Sequence, residues 1–210
     1  GAPAAICVHP ELVATAREAL DALGLAQVAV ASVANFPDGG SDPARAVREV
    51  RRALAAGAGE VDVVFPYRAL MAGDEACGAT LLARCRELHG GRYVLKAILE
   101  TGVLADPALV ARASAIAIAA GADFIKTSTG KVAVNATPEA AAIMLREIHA
   151  RGGRCGFKAA GGIRTLDEAA VYLDLADHIL GPAWAAPQRF RIGASKLLAE
   201  IQSLLDAGPA

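Results

Sequence analysis

Four ionisable residues sit inside runs that are otherwise apolar: Asp62 in EVDVVFPY, Lys96 in VLKAILETG, Lys126 in FIKTSTGK and Lys158 in GFKAAGG. A buried ammonium without a partner is costly, so such lysines must lose their protons, pair with acids or serve chemistry. For any one of them the plain structural reading is an ion pair, or an apolar stem carrying its charge to a loop. Grouping alters that balance, because an amine is nucleophilic at neutral pH only where desolvation or a nearby cation disfavours its protonated form. Lys126 and Lys158 fall on consecutive strand candidates, and neighbouring strands lie about 5 Å apart, so two inward ammoniums repel. One of the two amines is therefore expected to be neutral. A neutral lysine adds to a carbonyl to give a Schiff base, whose iminium withdraws electrons from the adjacent carbon and lets a carbon–carbon bond there break or form.

A second group of residues has the composition of an anion site. AGGIR, with Gly161, Gly162 and Arg164, follows the Lys158 run, and RIGASKLL places Gly193 and Ser195 where a helix begins. Backbone N–H groups at such turns point at anions, and Lys131 and Arg164 add positive charge. A single glycine-rich turn is more often a helix cap, whereas two beside a lysine pair favour a phosphate.

The elements that must position these groups follow one rhythm: a short apolar, β-branched run, then a helical pattern. Strands are expected at 4–9, 28–34, 60–65, 93–99, 122–127, 155–160 and 177–181. Helix starts are marked by Asp42-Pro43, Asp106-Pro107 and Thr137-Pro138, each a cap followed by proline, and by the Thr165–Glu168 capping box. Apolar stripes recur at helical spacing, as in Leu12, Ala16, Leu20 and Leu23, and in Ala46, Val47, Val50 and Leu54. Strands this apolar belong to a parallel sheet covered by helices. Regular β/α units without a break predict a TIM (β/α)8-type barrel forming one domain over 1–210. A doubly wound open sheet is the alternative, but no G-x-G-x-x-G follows the first strand. In a barrel the strands' carboxyl ends carry the active site, and the last loops carry phosphate.

Composition narrows the setting. With 210 residues and a formal net charge of −1, the chain favours neither nucleic acid nor an anionic membrane. The most apolar stretch, at 113–124, is cut by Gly121 and Asp123 before it reaches membrane-spanning length. The amino end lacks a secretory pattern, and Cys7, Cys77, Cys85 and Cys155 show no metal-type spacing, which points to reduced thiols in the cytoplasm. His9, His89, His149 and His178 likewise lack metal-ligand spacing, so neither metal nor cofactor is expected.

Three long stretches carry a family resemblance: EVDVVFPYRALMAG (60–73), AGADFIKTSTGKVAVNATPEA (120–140) and GFKAAGGIRT (156–165). Through them the chain resembles the deoxyribose-phosphate aldolases, class I enzymes that need no metal. The resemblance implies reversible cleavage of 2-deoxy-D-ribose 5-phosphate to D-glyceraldehyde 3-phosphate and acetaldehyde. It implies Lys126 as the Schiff-base lysine, Lys158 as a second catalytic lysine that perturbs the first, and Asp62 as a proton shuttle. Lys96 has no equally direct role in the family motif, so the choice of Lys126 over it rests on resemblance. The implied partners are a small phosphorylated sugar and acetaldehyde, with self-association into a homo-oligomer a further option. Ala159 stands where proline is common and Lys196 where serine is common. Residue 1 aligns just before the family's second strand, so a first strand with a D-L-T-type motif is expected to be missing and the Cys7 strand to keep an unpaired edge. Two other functions stay open: a catalytically impaired barrel that binds a phosphorylated ligand, and a Schiff-base carbon-transfer enzyme of the transaldolase type.

Overall fold

In the computed structural model, which describes residues 2–207, strands and helices alternate along the chain. β1 (Ala5–Cys7) leads through a short 3-10 turn into α1 (Val13–Ala22), β2 (Ala29–Ala34) into α2 (Pro43–Ala55), and β3 (Glu60–Val64) into α3 (Tyr67–Met71) and α4 (Glu75–Arg86). β4 (Val94–Ile98) precedes α5 (Thr101–Leu104) and α6 (Pro107–Ala119), and β5 (Phe124–Lys126) precedes α7 (Pro138–Ala150). β6 (Gly156–Ala160) precedes α8 (Leu166–Leu180), and β7 (Phe190–Gly193) precedes α9 (Lys196–Ala207). Residues 1 and 208–210 of the expected domain lie outside the described residues.

All strand pairs are parallel, and the sheet order is β1 to β7 in sequence. Each β/α unit therefore steps the same way, which curls the sheet, whereas a doubly wound sheet reverses direction at a switch point. The result is a TIM-type barrel one strand short of eight among the described residues, with β1 and β7 as its edges.

The helix starts form as their sequences dictate. Asp42 and Asp106 each accept a hydrogen bond at 2.8 Å, from the N–H of Ala44 and Ala108, and Thr137 accepts one at 3.2 Å from Ala140. Proline follows each cap at the first helical position, where its missing N–H costs nothing. The Thr165–Glu168 capping box forms in both directions.

Two expectations need correction. Residues 177–181 are not a strand: they are the last turn of α8 and its glycine cap, and the seventh strand lies at Phe190–Gly193. Ala169, Tyr172 and Ala176 recur at helical spacing and bury one face, so the apolar run at 177–181 continues a helix. In α1 the buried residues are Val13 and Leu20, whereas Leu12, in the preceding turn, and Leu23, at the carboxyl end, are exposed. The stripe in α2 buries Ala46 and Val50 and packs Val47 and Leu54 against the core.

A single connected core fills the space between sheet and helices. Register and pleat fix which residues enter it, because paired residues on parallel strands share a face. Val61 and Val63, Leu95 and Ala97, Ile125, and Phe157 and Ala159 are all fully buried on the outer face. Their neighbours in sequence point inward, toward the barrel axis.

Candidate active site

Asp62, Lys96, Lys126 and Lys158 all project from the inner face and meet there. Asp62 lies opposite Lys96 in the β3–β4 register, and Lys126 lies opposite Lys158 in β5–β6. The Asp62 carboxylate, with no exposed surface, is the hub. Its Oδ1 accepts a hydrogen bond from Lys96 Nζ at 2.7 Å, and its Oδ2 accepts from both Lys126 Nζ and Lys158 Nζ at 2.8 Å. Lys96 is 1%, Lys126 6% and Lys158 8% exposed, so the latter two are the more open to solvent. In a flat sheet β3 and β6, three strand spacings apart, would be separated by about 14 Å. The curl of the barrel brings Lys158 to Asp62.

Electrostatics follow from this geometry. Burial alone would push the Asp62 carboxyl up, but the ammonium groups of Lys126, Lys158 and Lys96 outweigh it and hold Asp62 well below the usual carboxylate range. It is a carboxylate at neutral pH, able to accept protons and unable to donate one. Lys126 and Lys158, on adjacent strands, thus hold two amines against a single carboxylate oxygen.

The surrounding turns come from the carboxyl ends of the strands. Lys126 ends β5, and the backbone continues through Thr127 and Ser128, both fully buried, to Thr129 and Lys131. Thr127 Oγ1 donates to the carbonyl of Ala160 at 3.1 Å and accepts from its N–H at 3.0 Å, tying the end of β5 to β6. Gly161 and Gly162 follow β6 directly, both with φ of +90°, and Gly193 at the end of β7 pairs with Ala160. At Gly161 a side chain is excluded twice over, since a Cβ would also lie 2.7 Å from that of Asn135. Ser195 immediately precedes α9. The register thus gathers Gly161, Gly162, Gly193 and Ser195 at one rim. Lys131 and Arg164 are exposed on the loops beyond β5 and β6, outside the buried cluster.

Three participants escape a reading by residue type. Glu60 is 4% exposed on the inner face of β3, and Arg191 of β7 reaches it across the interior at 3.5 Å. The spacing of Glu60 two residues before Asp62 is a signal that both share a face. Arg191 is hidden by the misplaced seventh strand. Glu100, fully buried after β4 in a left-handed conformation with φ of 57°, accepts hydrogen bonds from the Thr129 N–H at 3.1 Å and the Thr129 hydroxyl at 2.5 Å. It thereby clamps the turn that follows Lys126.

The four described cysteines are free thiols, and burial pushes those of Cys85 and Cys155 up to about 12, which leaves them inert. No described helix is long and apolar enough to cross a membrane.

Comparisons with known proteins agree with this architecture. The chain is similar to a solved protein of Toxoplasma gondii ME49, provisionally named a deoxyribose-phosphate aldolase, with 27% identity over 98% of this chain and 82% of that one and a TM-score of 0.88. A Coccidioides immitis protein with the same provisional name is 28% identical over 95% of this chain and 73% of that one, with a TM-score of 0.80. The deoxyribose phosphate aldolase of Aeropyrum pernix, described as a tetramer, is 25% identical over 94% and 77% of the two chains, with a TM-score of 0.74. The profile of the DeoC/LacD family aldolases matches residues 1–202. With a barrel whose interior lysines converge on one carboxylate, and with this match along nearly its whole length, the chain belongs to the DeoC/LacD family of aldolases.

Proposed function

We propose that this aldolase reversibly cleaves 2-deoxy-D-ribose 5-phosphate into D-glyceraldehyde 3-phosphate and acetaldehyde through a Schiff base on Lys126. The observation that carries this reading is the sharing of Asp62 Oδ2 by two buried amines at the carboxyl ends of adjacent strands. The uncharged amine of Lys126 attacks the aldehyde carbon of the open-chain sugar, and loss of water from the carbinolamine leaves an iminium. Removal of the proton from the C3 hydroxyl sends the C2–C3 bonding electrons into the iminium, releasing glyceraldehyde 3-phosphate and an enamine. Protonation of the enamine at C2 and hydrolysis then free acetaldehyde and the lysine.

Asp62, ionised at neutral pH, accepts and returns these protons through water, and Lys158 supplies the neighbouring charge and a second proton carrier. The phosphate is assigned to the rim of Gly161, Gly162, Gly193 and Ser195, with Lys131 and Arg164 beside it; bare N–H groups at a helix start and at left-handed glycines favour an anion. Self-association and a cytoplasmic setting belong to the same reading.

Borohydride reduction in the presence of acetaldehyde tests it. A reduced two-carbon adduct is expected on Lys126 and on no residue of Lys126→Ala. An adduct that persists in that variant removes Lys126 from its role, and a wild-type protein without any adduct removes the Schiff base altogether.

A further inference from the structure

Glu60 stands on the inner face of β3, two residues before Asp62 and opposite the small Ala31 of β2. Its carboxylate is buried and bridges two cations. Oε2 lies 2.7 Å from Lys96 Nζ, an ion pair without the angle of a hydrogen bond, and Oε1 accepts from Arg191 Nη2 at 3.5 Å. Charged groups face this interior from every strand between β3 and β7: Glu60 and Asp62 from β3, Lys96 from β4, Lys126 from β5, Lys158 from β6 and Arg191 from β7. Two carboxylates therefore serve three amines and a guanidinium.

Arg191 cannot shed its proton, so its charge must be met by an anion. Its guanidinium rests over the Phe124 ring at 5.5 Å, and its Nε donates to the carbonyl of Pro187, which leaves Nη2 for Glu60. Lys96 sits between both carboxylates at 2.7 Å from each. Without the Glu60 charge, Lys96 and Arg191 would both draw on Asp62, whose Oδ2 already holds Lys126 and Lys158.

We propose that Glu60 is a positioning residue for the carbon–carbon cleavage: it holds Lys96 and Arg191 so that Asp62 keeps its Oδ2 directed at the Lys126 and Lys158 amines. The inference rests on the Schiff-base reading above and adds a residue that never touches substrate. Phe124 closes the interior at the same level, lying so near Gly156 that a Cβ there would come within 2.5 Å of the ring.

The test follows cleavage of 2-deoxyribose 5-phosphate by wild type, Glu60→Gln, Lys96→Met and the double variant. Glu60→Gln is expected to lower kcat about tenfold with KM within about twofold, the pattern of a lost contribution to the reaction step. In the Lys96→Met background the same change should cost little more, since residues acting through one another are not additive. A wild-type kcat in Glu60→Gln, or a loss expressed in KM with kcat unchanged, overturns the proposal, as does a full tenfold loss repeated in the Lys96→Met background. Should Glu60→Gln fail to fold by circular dichroism, Lys96→Met against the double variant still decides, because that pair removes both partners of the buried contact. Absence of a borohydride adduct on wild-type Lys126 is a separate failure, of the Schiff-base reading itself.

Discussion

The two faces of the curled sheet are shut away from bulk water to nearly the same degree and hold opposite chemistry. Toward the helices, Val61, Val63, Leu95, Ile125 and Phe157 present only hydrocarbon. Toward the axis, Glu60, Asp62, Lys96, Lys126 and Lys158 occupy alternate positions of the same strands. Burying each large outer side chain stabilises the fold by about 1.5–3 kcal/mol. A buried ion cluster contributes little net stability, because desolvation offsets its attractions. The same strands thus divide by residue parity: odd positions of β3, β4, β5 and β6 hold the barrel together, and even positions carry the buried charges.

That division can be broken by experiment, and the inner face gives the largest effect. Lys126→Ala is expected to lower aldol cleavage by at least about 10⁴-fold, the scale of losing a covalent nucleophile. Its urea unfolding free energy should change by less than about 1.5 kcal/mol, since Asp62 retains Lys96 and Lys158. A large loss of stability with activity retained would reverse the assignment. Phe157→Ala is the counterpart one residue from Lys158: it should cost about 3–5 kcal/mol in unfolding by removing a fully buried ring that packs 6.0 Å from Phe190. Activity per folded molecule should survive at low temperature, and its abolition there would show that the faces are not separable.

Asp62→Asn sharpens the comparison. Hydrogen exchange at the acetaldehyde methyl carbon, followed by NMR in deuterated water, should slow about 10²-fold, because an amide cannot relay protons. The folded carboxyl is held below its usual range, so its contribution to stability is complete above the unfolded value, near 4, and is lost as pH falls from there toward the folded value. Wild type should accordingly lose stability more steeply than Asp62→Asn below about pH 4. Parallel acid-unfolding curves would place the Asp62 charge outside the balance of stability. Lys158→Leu removes the second amine on Oδ2 and is expected to lower aldol cleavage about 10²-fold, the scale of losing one proton carrier. Wild-type cleavage rates in that variant would take Lys158 out of the reaction.

The division of faces also explains what sequence reading found. Polar residues stranded in apolar runs singled out Asp62 and the three lysines, and consecutive strands put Lys126 beside Lys158; the parallel register and the curl of the sheet, seen only in the structure, bring all four together. Strands β1 to β6 were readable from the same runs, and the helix starts from their caps. Glu60 was passed over because an acid opening a strand is ordinary at a surface; only the curl makes that position interior. The seventh strand was misplaced because DHILG has a strand's composition and is the end of a helix, while Phe190–Gly193 is short and holds Arg191 at its centre. Glu100 was unreadable for another reason: its left-handed backbone and its hold on Thr129 arise from the meeting of two loops.

The hydrogen bond from Lys158 to Asp62 joins residues 96 positions apart in the chain. Closing so long a loop is entropically costly, and contacts of that range form after local β/α pairings. On the Schiff-base reading, capture of a carbonyl compound is then a property of the finished fold, because a nascent or partly unfolded chain has its lysines apart from Asp62 and from one another.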